Sequence, residues 1–132
     1  MYVEATFKVA KTLIELNKLN EANLLLDEVI LLSKTYDYKD LHSAALNNIG
    51  LIAFKETKLK KALTQTKKGL QLSVTINDLT LQKESNQILG LIYEALGSYE
   101  LQAKSLKSYI NLDDSLAKIE KERTYPEKEN RG

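Results

Sequence analysis

Apolar residues recur along this chain at the three- and four-residue spacing of one helix face, in runs separated by short polar breaks. The clearest example is ILGLIYEALGSYELQAKSL, from Ile88 to Leu106. Leu89, Gly90, Ile92, Tyr93 and Leu96 mark one amphipathic helix, Gly97 interrupts it, and Tyr99 opens a second run. Upstream, Val3, Phe7, Ala10, Leu13 and Ile14 predict a helix over about 2–16. After the polar step Asn17–Lys18, the residues Leu19, Ala22, Leu25, Leu26, Val29, Ile30 and Leu32 predict its return to about Tyr36. Asp40 is a candidate N-cap for a helix reaching Lys55 through Leu41, Ala45, Leu46, Ile49, Ile52 and Ala53. Leu59 to Ile76 returns after a turn near Thr57 and Lys58, and Asn77–Asp78 punctuate the chain before the last pair. No strand alternation competes, and the single proline, Pro126, lies beyond the patterned region.

The pattern predicts three helical hairpins, at about 2–36, 38–76 and 79–115, displaced by about forty residues. Overlaying them aligns Ala10 with Gly50 and Gly90, Val9 with Ile49 and Leu89, Leu19 with Leu59 and Tyr99, and Ile30 with Leu70 and Ile110. A small residue inside each first helix lets the second helix lie close, and a large apolar residue opening the second helix plugs the space behind the turn. Ala22 and Ala62 extend the match, whereas the third copy has Gln102 there, with Ala103 one residue later. A bulky residue at Gly90 is therefore expected to overpack its hairpin.

This overlay resembles the tetratricopeptide repeat, in its longer-helix branch. Leu89, Gly90, Tyr93, Gly97 and Tyr99 match best, the second copy keeps Ile49, Gly50 and Ala62, and the first keeps Ala10, Leu13, Leu19 and Ala22. The resemblance implies an all-α, right-handed alpha-alpha superhelix, a solenoid of three hairpins spanning 1–117. Leu116 and Ile119, after Asp113, Asp114 and Ser115, are expected to form a C-terminal capping helix over the open end. Residues 118–132 read as a charged extension, with Lys118 to Arg131 continuing as solvated helix before fraying beyond Pro126. The run YINLDDSLAKIEKER is similar to the end of the repeat array in sensor and regulator proteins of the Bacteroidetes type, which implies a sensory or scaffolding piece of a longer bacterial signalling chain.

Composition narrows the function classes. Nineteen basic and eighteen acidic residues give a net charge of +1, so no global field favours nucleic acid or an anionic membrane. No cysteine is present, and no leader segment or membrane span is expected, which makes the cytoplasm the default compartment. His42, the only histidine, neighbours Asp40 and Ser43, but residues one or two apart on a helix cannot form a relay. Asp113 and Asp114 lack the glycine-bearing loop or histidine pair of a metal site, and no glycine-rich phosphate loop occurs. The sequence predicts no enzyme, no cofactor and no metal. The lysines between Lys55 and Lys68 read as the solvated edge of one hairpin, with attraction of an acidic segment as the alternative.

A protein or peptide partner is the class that fits, because stacked hairpins leave a groove lined by their first helices. The family's groove positions imply Lys8, Lys11 and Glu15 on the first hairpin, Asn47, Asn48, Leu51 and Lys55 on the second, and Glu84, Gln87, Leu91 and Glu94 on the third. Asn47 and Asn48 are the most informative, because an amide both donates to and accepts from a peptide backbone. The alternative for Asn48 is a bond to an adjacent helix. The rival function is homo-oligomerisation through an uncapped end, on the expectation that Val3 and Phe7 have no preceding repeat to cover them.

Overall fold

The computed structural model describes the backbone of residues 2–131 and the side chains of residues 2–124. Within them the chain is all helix: α1 (Tyr2–Glu15), α2 (Leu19–Tyr36), α3 (Lys39–Lys55), α4 (Leu59–Thr75), α5 (Leu79–Ala95) and α6 (Tyr99–Arg131). Each helix packs on the next in the chain. In addition α1 touches α3 and α3 touches α5, while α2, α4 and α6 do not touch one another, and α1 reaches neither α5 nor α6. The three hairpins therefore stand in an open row, not around a closed centre.

The turns repeat twice as often as the overlay of hairpins predicts. Asn17, Asp37, Thr57, Asn77 and Gly97, spaced twenty residues apart, all adopt positive φ, between 54° and 72°. The residue after each donates its N–H to the carbonyl five residues back, Lys18 to Leu13, Tyr38 to Ser33, Lys58 to Ala53, Asp78 to Ser73 and Ser98 to Tyr93, at 2.8–2.9 Å. This bond and the left-handed residue together make a Schellman termination, which satisfies carbonyls the helix end would leave orphaned. Asparagine, aspartate and glycine enter the left-handed region readily; Thr57, being β-branched, does so at a cost. Thr57→Asn is expected to stabilise the protein by about 1 kcal/mol, read as a rise of a few degrees in thermal midpoint.

The same spacing explains where the third hairpin departs from expectation. The next member of the series is Ala117, the best helix former and a poor left-handed residue, so the chain does not turn there. Instead of a separate capping helix after Leu112, α6 runs on as one helix to Arg131. Leu116 is half-buried and Ile119 is 50% exposed. The fraying expected beyond Pro126 falls on residues whose side chains lie outside the described set. Asp40 is likewise not an N-cap: α3 starts at Lys39 behind Tyr38, without a side-chain cap bond. Asp78 is one, accepting the N–H of Leu81 at 3.0 Å.

Packing along the row is uneven. Val3, Ala10, Ile14, Ala22, Leu26, Val29, Ala45, Ile49 and Ile52 form one cluster joining the first two hairpins, with Phe7 and Leu13 against it. A smaller cluster, Ala53, Ala62, Ile88 and Ile92, joins the second and third. Val3 is buried and Phe7 half-buried, so these two do not form the uncovered end expected from them; the exposed large apolar residues of the first hairpin are Tyr2, Val9, Leu16, Leu24, Leu31 and Tyr36. Val3 and Phe7 face inward because the hairpin's own partner helix and α3 supply the cover. In the third hairpin, Tyr99 is 69% exposed and does not plug the turn as Leu19 and Leu59 do from their half-buried positions, and Ile110 is 57% exposed where Ile30 and Leu70 are half-buried. Gln102 takes the place of the buried Ala22 and Ala62, and its amide donates to Glu94.

The overlaid small residues differ in how tightly they are held. A Cβ at Gly50 would collide with Thr66 Oγ1 and crowd the Ala62 carbonyl, whereas one at Gly90 would meet only the end of Leu106, at 3.0 Å. Of the two overlaid glycines, Gly50 and not Gly90 is the close approach.

Candidate functional site

Because first helices touch first helices, the forty-residue period sets Lys11 on α1, Leu51 on α3 and Leu91 on α5 in one register. With Asn48, Glu84, Gln87 and Ile88 they line a cleft of about 270 Å³. Six of these seven are groove residues implied by the resemblance. Ile88, which was not among them, forms part of the lining and is buried. Its signal was present in the sequence: it lies one turn after Glu84 and one turn before Leu91 on the same helix face.

Glu84 is the unusual group in this cleft. Its Oε1 is buried and accepts no hydrogen bond among the described residues. Burial pushes its carboxyl above the ordinary glutamate range, and Asp78 adds to the rise, while the Asn47 amide and the Lys11 charge oppose it. Lys11 does not neutralise the carboxylate at close range: it is exposed on α1, and its ammonium stands 5.8 Å from the centre of the Phe7 ring. Leu51 and Leu91 supply apolar surface beside this charge, Leu91 being 41% exposed.

The other implied groove residues are not part of this cleft. Lys8 pairs with Glu4 across one helical turn at 3.7 Å, Glu15 and Lys55 are exposed, and Glu94 accepts from Gln102 at 2.9 Å. Asn47 requires a correction, because it is fully buried and has no face to offer a ligand. Its Nδ2 donates to the Leu81 carbonyl at 3.4 Å. Its Oδ1 lies 2.8 Å from Ser85 Oγ, which also stands 3.0 Å from the Leu81 carbonyl, so the one hydroxyl proton serves either acceptor. Gly69 has no side chain where Asn47 Oδ1 sits, and beside it Ser43 donates to the Gly69 carbonyl at 2.8 Å. Asn47 is thus the polar bolt between α3, α4 and α5. Asn48 lines the cleft but is only 6% exposed, and its amide donates to the Ala44 carbonyl one turn back in its own helix.

The opposite side of the row carries two wider clefts, each lying over a first helix between two second helices that do not touch. The cleft over α3, about 490 Å³, includes Ile30, Lys34, His42 and Lys68; the cleft over α5, about 400 Å³, includes Leu70, Asn86, Ser105 and Ser108. Further along the row, Lys83 occupies the register of Ser43, Tyr109 that of Gly69 and Asp113 that of Ser73. Lys83 meets Asp113 at 2.6 Å and stands 5.2 Å from the Tyr109 ring centre, so a charged and aromatic group occupies these registers on the third hairpin.

No family model matches the sequence, and no curated protein is significantly similar to it. Among the described residues, no helix is long and apolar enough to cross a membrane.

Proposed function

We propose that the chain is a peptide-binding module of the tetratricopeptide type, its hairpins following a right-handed superhelix, and that its concave cleft takes an extended segment presenting a lysine or arginine to Glu84. The observation that carries this reading is the buried, unpartnered Oε1 of Glu84 beside the apolar Leu51 and Leu91. A buried carboxylate oxygen without a donor costs free energy, and a cationic donor from a partner restores it through a charge-assisted hydrogen bond. Leu51 and Leu91 then cover the aliphatic stem of that side chain. A scaffolding or sensory role in a bacterial signalling protein is supported by the likeness of YINLDDSLAKIEKER alone.

Glu84→Gln tests this because it moves binding and stability in opposite directions. The folded-state pKa is raised, so ionising Glu84 costs stability fully above that value and nothing below the unfolded-state value. At pH 7 the variant is therefore expected to melt higher than the parent, with the advantage vanishing as the pH falls to the ordinary glutamate range. Its affinity for an extended lysine-containing peptide is expected to fall by roughly tenfold or more, the worth of one hydrogen bond to a charged group. A norleucine counterpart of the peptide should bind parent and variant alike. A variant that melts higher yet binds the lysine peptide unchanged contradicts the binding role.

A further inference from the structure

The cleft on the convex side over α3 has a composition that neither the concave cleft nor the helical repeat explains. It is lined by Lys34 from α2, His42 from α3 and Lys68 from α4, around the apolar Ile30, Leu46 and Leu72, with no carboxylate in its lining. Its volume of about 490 Å³ lies within the usual range for small-molecule sites, roughly 300–1,000 Å³. The chain offers a comparison, because the cleft over α5 occupies the corresponding place one repeat later and shares with it the registers of Ile30, Leu46, Gln65 and Lys68. At the registers of Lys34, His42 and Lys68 the later copy has Val74, Gln82 and Ser108; the lysines that line it, Lys67 and Lys104, stand at other registers. The convergent basic group therefore belongs to this groove and not to the repeat.

The geometry points to the cleft over α3 as a binding site for a small amphiphilic anion, its phosphate or carboxylate held between Lys34, His42 and Lys68 and its apolar body lying on Ile30, Leu46 and Leu72. Two ammonium groups and an imidazole with no facing counter-ion attract an anion, and imidazolium and ammonium groups donate to it with charge-assisted bonds. In the free protein, burial and the Lys34 charge hold His42 below the ordinary histidine range. Asp40 and Lys39 precede His42 by two and three residues on α3, and Lys34 and Lys68 are the charged groups facing it from the two neighbouring helices. A bound anion adds negative charge beside the imidazole and offsets the field of the lysines, so His42 takes up a proton more readily. This site lies on the opposite side of the row from Glu84, and its occupancy is independent of peptide binding there.

The single histidine makes the test direct. The His42 imidazole of the full chain is titrated by NMR alone, with hexyl phosphate, with hexanoate, with inorganic phosphate and with hexanol. Saturating hexyl phosphate is expected to raise the His42 pKa by about one unit and to shift the methyl signals of Ile30, Leu46 and Leu72. It is expected to bind roughly tenfold or more tightly than inorganic phosphate, with hexanol leaving the imidazole unmoved. The hexanoate arm decides whether carboxylate serves as well as phosphate. Lys68→Gln, an exposed change that leaves the fold intact, should weaken binding several-fold while hexyl phosphate binding by a Lys67→Gln control stays at the parent value. An unmoved His42 pKa, equal affinity for phosphate and hexyl phosphate, or equal loss in the two lysine variants would each overturn the assignment.

Discussion

Gly50→Ala is expected to destabilise the protein by about 1–3 kcal/mol, although alanine is the better helix former by about 1 kcal/mol. The new methyl would enter the space of Thr66 Oγ1 and press on the Ala62 carbonyl, both part of α4, so α3 and α4 must separate. Gly90→Ala provides the control. Its methyl meets only the flexible end of Leu106, so the gain in helix propensity is expected to leave the variant as stable as the parent or more so. The mechanism can be isolated further, because Thr66 Oγ1 is itself buried without a hydrogen-bond partner. In a Thr66→Ala background the penalty of Gly50→Ala should shrink, though not vanish, since the Ala62 carbonyl stays in place; the coupling appears in a double-mutant cycle of denaturation free energies. Additive effects would mean that the close approach lies elsewhere.

Asn47→Ala is expected to cost about 2–3 kcal/mol, since it leaves a cavity and removes the partner of buried polar groups on α5. The loss falls on the weaker junction of the row. The first two hairpins share the larger apolar cluster, while the second and third rely on four buried apolar residues and the polar contacts around Asn47. In a linear array, stability is a sum over neighbours, so damage at one junction releases the unit beyond it first. Amide exchange in α5 and α6 should accelerate more than in α1 and α2. Asn48→Ala removes only a bond within its own helix turn and is expected to stay within about 1 kcal/mol of the parent. Equal destabilisation by the two substitutions, or uniform exchange throughout the chain, would contradict the role assigned to Asn47.

These two asparagines also mark where the sequence was legible and where it was not. The hairpins could be read because a helix buries one face with a 3.6-residue period, and because Asn17, Thr57, Asn77 and Gly97 sit at polar breaks in that period. Most of the cleft lined by the first helices lies at groove positions that the tetratricopeptide resemblance implies. Asn47 was misplaced because a polar residue on a helix reads as outward unless its partners are known. Its partners, Gly69 and Ser85, lie on two other helices, so that only the stacked hairpins bring them together. The continuity of α6 through Asp113, Asp114 and Ser115 was missed for a different reason. Asp113, Asp114 and Ser115 are good caps but are also tolerated inside a helix, and the deciding residue was Ala117, which does not favour the left-handed turn made at Gly97. The raised pKa of Glu84 could not be read from the sequence either, because it depends on burial that only the stacked helices supply.

The central claim, that the row of first helices forms a binding cleft whose key is Glu84, is tested most directly by following the Glu84 carboxyl by NMR in the full chain with and without the lysine-containing peptide. The predicted result is a Glu84 pKa above the ordinary range in the free protein that drops on saturation, with amide shifts gathered at Lys11, Asn48, Leu51, Gln87 and Leu91. A Glu84 titration unchanged by the bound peptide, with the shifts gathered on α2, α4 and α6, would contradict it.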